Sequence, residues 1–290
     1  MESCIDIAFV ILNYNIIDET IDCITSIQKN IDTRLYHIFV VDNGSKHEII
    51  NELKQRIASK KNITMIVNEK NLGFACGNNI GILAARNLGA KYICCLNNDT
   101  ILRQKDFLKK IESTYNNGNP ALIGPRIRLK DGRILHIYEK LKTSNQYEES
   151  LRKTLNSDCD WRNKVKCKLI NYRIVYEIND LIKGRLREKA RNDVVLHGCC
   201  LIFTPMFFEK LKGFDDRTFL YGEEELLFIK LMNNNLHSRY EPNLEIIHLE
   251  DVSTNSIVRT NKDKELFIKK HRTASLNIII EEIKKMENKL

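Results

Sequence analysis

Nine cysteines are present, yet no two stand in a C-x-x-C pair, and several sit in apolar runs, including Cys94–Cys95 and Cys199–Cys200. In such runs cysteine behaves as a small hydrophobe, so the thiols read as reduced and structural, as expected in the cytoplasm. No stretch approaches the ~18 uninterrupted apolar residues of a membrane span, and no basic segment with an apolar core opens the chain. The expectation is a protein neither exported nor membrane-spanning, with contact at the inner face of the cell membrane left open. The motif G-x-G-x-x-G is missing after the first apolar run, which argues against a dinucleotide dehydrogenase. The loop there, Asn13–Tyr14–Asn15–Ile16, has neither glycine nor positive charge to grip a triphosphate, which argues against a nucleotidyltransferase. No internal repeat is visible.

What is present is a chain of 290 residues, 43% hydrophobic and 29% charged, with 46 Lys/Arg against 38 Asp/Glu. That is long enough for one large domain or a domain with a subdomain. The first hundred residues alternate strand and helix patterns. The apolar runs Ile5–Leu12, His37–Val41, Ile63–Val67 and Tyr92–Leu96 read as strands. The spacing of Ile21, Ile24 and Ile27 behind Asp18, and of Ile49, Ile50, Leu53 and Ile57, reads as helical, as does Phe74–Leu88. Fully apolar strands alternating with helices predict an α/β fold, a Rossmann-like and mostly parallel central sheet covered by helices on both faces. Ligands of such sheets bind outside the carboxyl ends of the strands. Each strand here ends there in polar residues: Asn13–Asn15, Asp42–Ser45, Asn68–Gly73 and Asn97–Asp99.

Residues 139–193 are different, with 14 Lys/Arg against 9 Asp/Glu and little periodicity beyond a stripe at Leu169–Ile178. They read as a charged, mainly helical insertion. The basic run Lys183–Arg191 favours a solvated helix face over nucleic-acid binding; Trp161 and Arg162 take no role. The core pattern returns with strand Val194–Phe203, helix Pro205–Leu211, helix Glu223–Met232 and short strands near His237–Tyr240 and Glu245–Leu249. The chain ends in an amphipathic helix, Lys264–Leu290, whose stripe of Leu276, Ile279, Ile283, Met286 and Leu290 is compatible with a homodimer. The expected division is 1–260 (1–129, the 139–193 insertion and 194–260) and 261–290.

The stretches VILNYN, VVDNGS, NEKNLGFACGNNIG, CLNNDT, LHGCCLIF, LKGFDDRTFLYGEEELLFIKL and IIHLEDVS run in the order seen in family 2 glycosyltransferases. The chain resembles the bacterial rhamnosyltransferase-like branch over roughly Ile5–Leu129 and Val194–Ser253. The resemblance implies a GT-A fold and an inverting transfer from a UDP- or dTDP-sugar to a glycan or lipid-linked saccharide in surface polysaccharide synthesis. It also implies Mn2+ or Mg2+, because the departing diphosphate needs its growing charge neutralised. The alternatives are a nucleotidyltransferase acting on sugar phosphates and a non-catalytic nucleotide- or membrane-surface module.

Carried over by motif, Asn97 and Asp99 occupy the two key positions of the family's D-x-D or N-x-D metal motif, with His248 as a further metal or diphosphate contact. A lone histidine equally serves as a structural hydrogen-bonder. Asn13, Asn15, Asp42, Asn71, Gly73 and Asn98 fall in the donor-binding strand ends. Asp42 alone would read equally well as an Asx-turn before Gly44, and Gly73 and Gly77 as helix packing. His197, Gly198, Cys199 and Tyr221 line the expected sugar and acceptor pocket, the cysteine as packing. The family's Glu-Asp pair is Glu223–Glu224 here, which makes Glu224 the general base and Glu223 its neighbour. Acidic residues also favour helix N-termini through the macrodipole, and the longer Glu arm leaves the base open between the two.

Overall fold

The computed structural model describes residues 5–31, 35–135, 140–156, 188–249 and 261–288. Trp161, Arg162, the Leu169–Ile178 stripe, the start of the Lys183–Arg191 run, Asp251–Ser253 and Leu290 lie outside the described residues. The first half follows the alternation read from the pattern: β1 (Ile5–Asn13), α1 (Asp18–Asn30), β2 (Tyr36–Asp42), α2 (His47–Ile57), β3 (Ile63–Val67), α3 (Phe74–Asn87) and β4 (Ala90–Asn97). Residues 7–11 and 92–96 are buried on both strand faces, which is why neither run alternates with polar residues. Asp18 does not cap α1. It lies in the first turn and pairs with Arg56, and the cap position is Ile17, without a side-chain bond.

Next come β5 (Thr100–Ile101), α4 (Phe107–Asn116), β6 (Leu122–Leu129), α5 (Ser144–Leu155), β7 (Arg191–Asn192), β8 (Cys200–Phe203), α6 (Pro205–Phe208), α7 (Glu223–Asn233), β9 (Ser238–His248) and α8 (Asn261–Glu287). The strand expected over Val194–Phe203 forms only at its end. The two short strands expected after α7 are one strand, whose register against β6 shifts between Pro125 and Arg126.

The sheet runs in the order β3-β2-β1-β4-β8-β6-β9-β5, with β7 on β9. It is parallel from β3 to β4 and mixed beyond, where β8 is antiparallel to both β4 and β6. The chain leaves β1 for β2 on one side and returns to β4 on the other. Such a reversal opens a crevice at the carboxyl ends of the two central strands, here at Asn13 and Asn97. Strand β5 lies antiparallel to β9, pairing Thr100 with His248, so it brings a residue distant in sequence to the end of β4.

The apolar stripe of α8 is covered within the chain. Leu276, Ile279, Ile280 and Ile283 form a second core cluster with Leu226 and Ile229 of α7 and Tyr147 of α5, and Met286 packs against it. Helix α5 is therefore not a free solvated helix. A capping box, in which Thr143 and Gln146 satisfy each other's backbone, starts it cleanly. The stripe accordingly gives no support to a homodimer. No helix among the described residues is long and apolar enough to cross a membrane.

Candidate active site

A cleft of about 260 Å³ opens at the carboxyl edge of the sheet. One wall is Asn13, Asn43, Asn71, Gly73 and Asn97; the other is His197, Gly198, Phe219, Tyr221, Glu223 and Glu224. Asn98 and Cys199 border it as well, whereas Asn15, Asp42, Asp99 and His248 lie outside its lining.

Asparagine amides knit the strand ends. Asn13 donates to Asp42 Oδ2 at 2.8 Å, and its own Oδ1 accepts from Thr20 at 3.0 Å and Asn98 at 3.2 Å. Asn98 also donates to Thr20, so it ties the end of β4 to β1 and α1. Asp42 is fully buried and accepts from Ser45 N and Ser45 Oγ as well as Asn13. The carboxylate thus bonds the backbone three residues along its own loop, one beyond the two of an Asx-turn. Asn15, in the left-handed region, donates its backbone N–H to Ser45 Oγ and accepts from Lys46 N, which pins the first loop to the second.

Sequence reading passed over Asn43. Its amide donates to Asn71 Oδ1 and Gly73 O, and its oxygen accepts from Asn68 and Leu72 N. It is 2% exposed and borders the cleft. Its place directly after Asp42 in VVDNGS was the available signal. Gly73 has φ +85°, and a Cβ there would stand 2.3 Å from Phe219 O. Its close approach is to the opposite wall of the cleft. Gly77 meets Leu12 and Asn43, so its small size serves helix packing.

On the second wall, Glu224 accepts from Gly198 N at 3.0 Å, and a Cβ on Gly198 would meet that carboxylate at 2.9 Å. His197 Nδ1 accepts from Cys199 N. Burial pushes the Cys199 thiol well up, as expected of a packing residue. Glu223 is 4% exposed with Oε1 lacking a partner, and burial, then Glu224, push its carboxyl up to about 8. Burial followed by Glu223 raises the Tyr221 phenol.

Beside the cleft, Asp99 is 2% exposed, and its Oδ1 lies 3.2 Å from His248 Nε2. The angle makes no hydrogen bond, and Asp99 Oδ1 and both His248 ring nitrogens are buried without partners. The His197 ring sits 6.1 Å from that of His248, linking this pair to the cleft. Uncompensated buried oxygen and nitrogen atoms are costly unless something satisfies them. Among the described residues no cluster of three or more His, Cys, Asp or Glu is poised to hold an ion. Mg2+ needs few protein ligands, since it keeps water and takes substrate phosphates. Asp99 and His248 therefore fit a divalent ion completed by a diphosphate. Asn97 borders the cleft.

The model of the family described as "Glycosyl transferase family 2" matches residues 8–211. No curated protein matches the chain at a significant level. Among solved structures the fold is similar to S. aureus TarS 1–349, at 12% identity and TM-score 0.53, covering 96% of this chain and 70% of that one. The same TarS fragment in complex with UDP gives 12% and 0.51, with 85% and 61% covered. GalNAc-T7 with UDP, GalNAc and Mn2+ gives 14% and 0.59, with 87% and 45% covered. At such identities the likeness is one of fold.

Proposed function

Because the chain belongs to glycosyltransferase family 2, we propose that it moves a sugar from a UDP- or dTDP-linked donor to a glycan or lipid-linked saccharide, with inversion, in bacterial surface polysaccharide synthesis. The observation that carries this is the cleft itself. An acidic helix start faces the asparagine-lined strand ends across it, with an unsatisfied carboxylate–imidazole pair alongside. The neighbours solved with UDP support a nucleotide donor on this fold.

In this reading Asn13, Asn43 and Asn71 shape the donor side. Held by Asp42, Asn98 and one another, they lose little freedom when the donor binds. Glu224 is the base. Gly198 N–H fixes its Oε1, leaving Oε2 to take the acceptor hydroxyl proton as that oxygen attacks the anomeric carbon. Glu223, with its carboxyl held near 8, is mostly protonated at neutral pH, so it donates a hydrogen bond and orients the acceptor. His197 and Tyr221 complete the sugar pocket, and Cys199 packs behind it. Asp99 and His248 would hold Mn2+ or Mg2+, which when bound supplies Lewis-acid neutralisation of the leaving diphosphate. The rhamnosyltransferase-like branch remains part of the proposal, as does a cytoplasmic setting. There the described cysteines stay free thiols, as they are in the structure.

The test is a thermal-shift panel of UDP- and dTDP-sugars with Mn2+, since a ligand of the native state raises the melting point by mass action. At least one should stabilise the protein in a Mn2+-dependent way, and Asp99→Asn should abolish that dependence. A flat panel would overturn the reading.

A further inference from the structure

The segment Arg217–Gly222 carries three cleft residues, Phe219, Leu220 and Tyr221, and leads into Glu223 and Glu224. It has little regular structure to hold it. Tyr221 and Gly222 are consecutive left-handed residues, at φ 74° and 82°, a costly conformation for the tyrosine. The segment is instead held from outside by α8, which lies beyond the part of the chain that matches the family.

Five residues of α8 touch it. Phe267 packs edge-on to Phe219, and His271 stacks on Phe219 at 4.5 Å and 28°. Ser275, 2% exposed, donates to Leu220 O at 3.1 Å. Ile279 fills the space that a Cβ on Gly222 would need. Glu282 accepts from Arg217, whose other nitrogens grip Asp215. The spacing 267, 271, 275, 279, 282 is a single helical stripe. Its neighbour on the helix, Leu276–Ile280–Ile283, packs in the cluster with α5 and α7. One face of α8 is therefore spent on the core, and the adjoining face on the wall of the cleft.

We propose that His271 and Ser275 are positioning residues. Through Phe219 and the Leu220 carbonyl they set the left-handed turn that aims Tyr221 and Glu224 into the cleft. The proposal deepens the reading of this wall as the acceptor side and rests on it. The opposite end of Phe219 is already fixed, because its carbonyl accepts from Phe74 N at 2.8 Å. Phe219 thus bridges the donor loop and α8, and losing the stack frees one end only. A displacement near 1 Å at a reacting group can cost about 10²-fold in rate.

Two readouts test this on the full chain. Hydrogen exchange compares wild type with His271→Ala and Ser275→Ala, with melting temperature as a control for folding. The expected result is faster exchange across Phe219–Glu224, unchanged exchange in β1 and β4, and restored protection in His271→Phe, which keeps a ring on Phe219. Kinetics then use Mn2+-dependent hydrolysis of the best sugar nucleotide among UDP-glucose, UDP-N-acetylglucosamine and dTDP-rhamnose. kcat should fall about 10-fold or more in both alanine variants with KM unchanged, and His271→Phe should recover most of it. Wild-type exchange across the segment in both alanine variants would overturn the proposal, as would an unchanged kcat or a rise in KM alone. A wild-type protein that hydrolyses none of the three speaks against the proposed function instead, and the exchange result still decides this inference.

Discussion

Asp99 Oδ1 and His248 Nε2 face each other at 3.2 Å with no hydrogen bond between them, although both atoms are buried. The antiparallel pairing of β5 with β9 puts them there, since Thr100 and His248 are direct partners in the ladder. Buried polar atoms left without partners are costly unless a further group satisfies them. Replacing His248 with Ala should weaken Mn2+-dependent UDP binding by about 10-fold or more, in line with the loss of a metal contact. Calorimetry with UDP at fixed Mn2+ measures this, and equal affinity would remove His248 from the ion's shell.

Glu223 gives a pH prediction with a definite sign. Its folded pKa, about 8, lies above the unfolded value of 4.5. The folded state therefore binds the extra proton between those values, and the stability this group contributes is lost as pH rises through about 8. Melting temperature should decline over that window in the wild type, and less steeply in Glu223→Gln, which stays neutral. Parallel declines in the two proteins would mean that Glu223 ionises as an ordinary carboxylate.

Glu224→Gln keeps the shape of the side chain and can still accept from Gly198 N, but cannot take a proton. Transfer or hydrolysis should fall at least about 10²-fold, the span of general-base catalysis, while UDP binding persists. Unchanged turnover would move the base elsewhere.

Gly73→Ala should be far more damaging than Gly118→Ala. Both positions have positive φ, but at Gly73 the new methyl would meet Phe219 O at 2.3 Å, whereas at Gly118 nothing lies within 4 Å. The conformational penalty alone is of the order of 1 kcal/mol, and the clash at Gly73 adds to it. Denaturant unfolding of the two variants reads the difference.

The first four strands were legible because each is an uninterrupted apolar run with a polar end. Burial on both faces removes the alternation from β1, β2 and β4, whereas β3 at the sheet edge is partly exposed, and the polar ends mark the candidate site. Strand β5 was not legible: two residues long, it is defined by pairing with β9, which no local pattern records. Strand β9 read as two pieces because its register shift interrupts the periodicity. Asn98, read as one of the donor-binding strand ends, ties β4 to Asn13 and Thr20, contacts that only the fold brings to it. The Asp42 carboxylate, legible as a strand-end polar group, turns toward Ser45, a choice fixed by loop geometry. The stripe of α8 was visible, but only the packing of α5 and α7 shows what covers it.

The most direct test of the account is release of UDP or dTDP from a sugar nucleotide by wild type and Glu224→Gln, each with Mn2+ and with EDTA. Wild type should release it with Mn2+, and release should be lost in EDTA and in the variant. Release that is indifferent to both the ion and Glu224 would contradict the account.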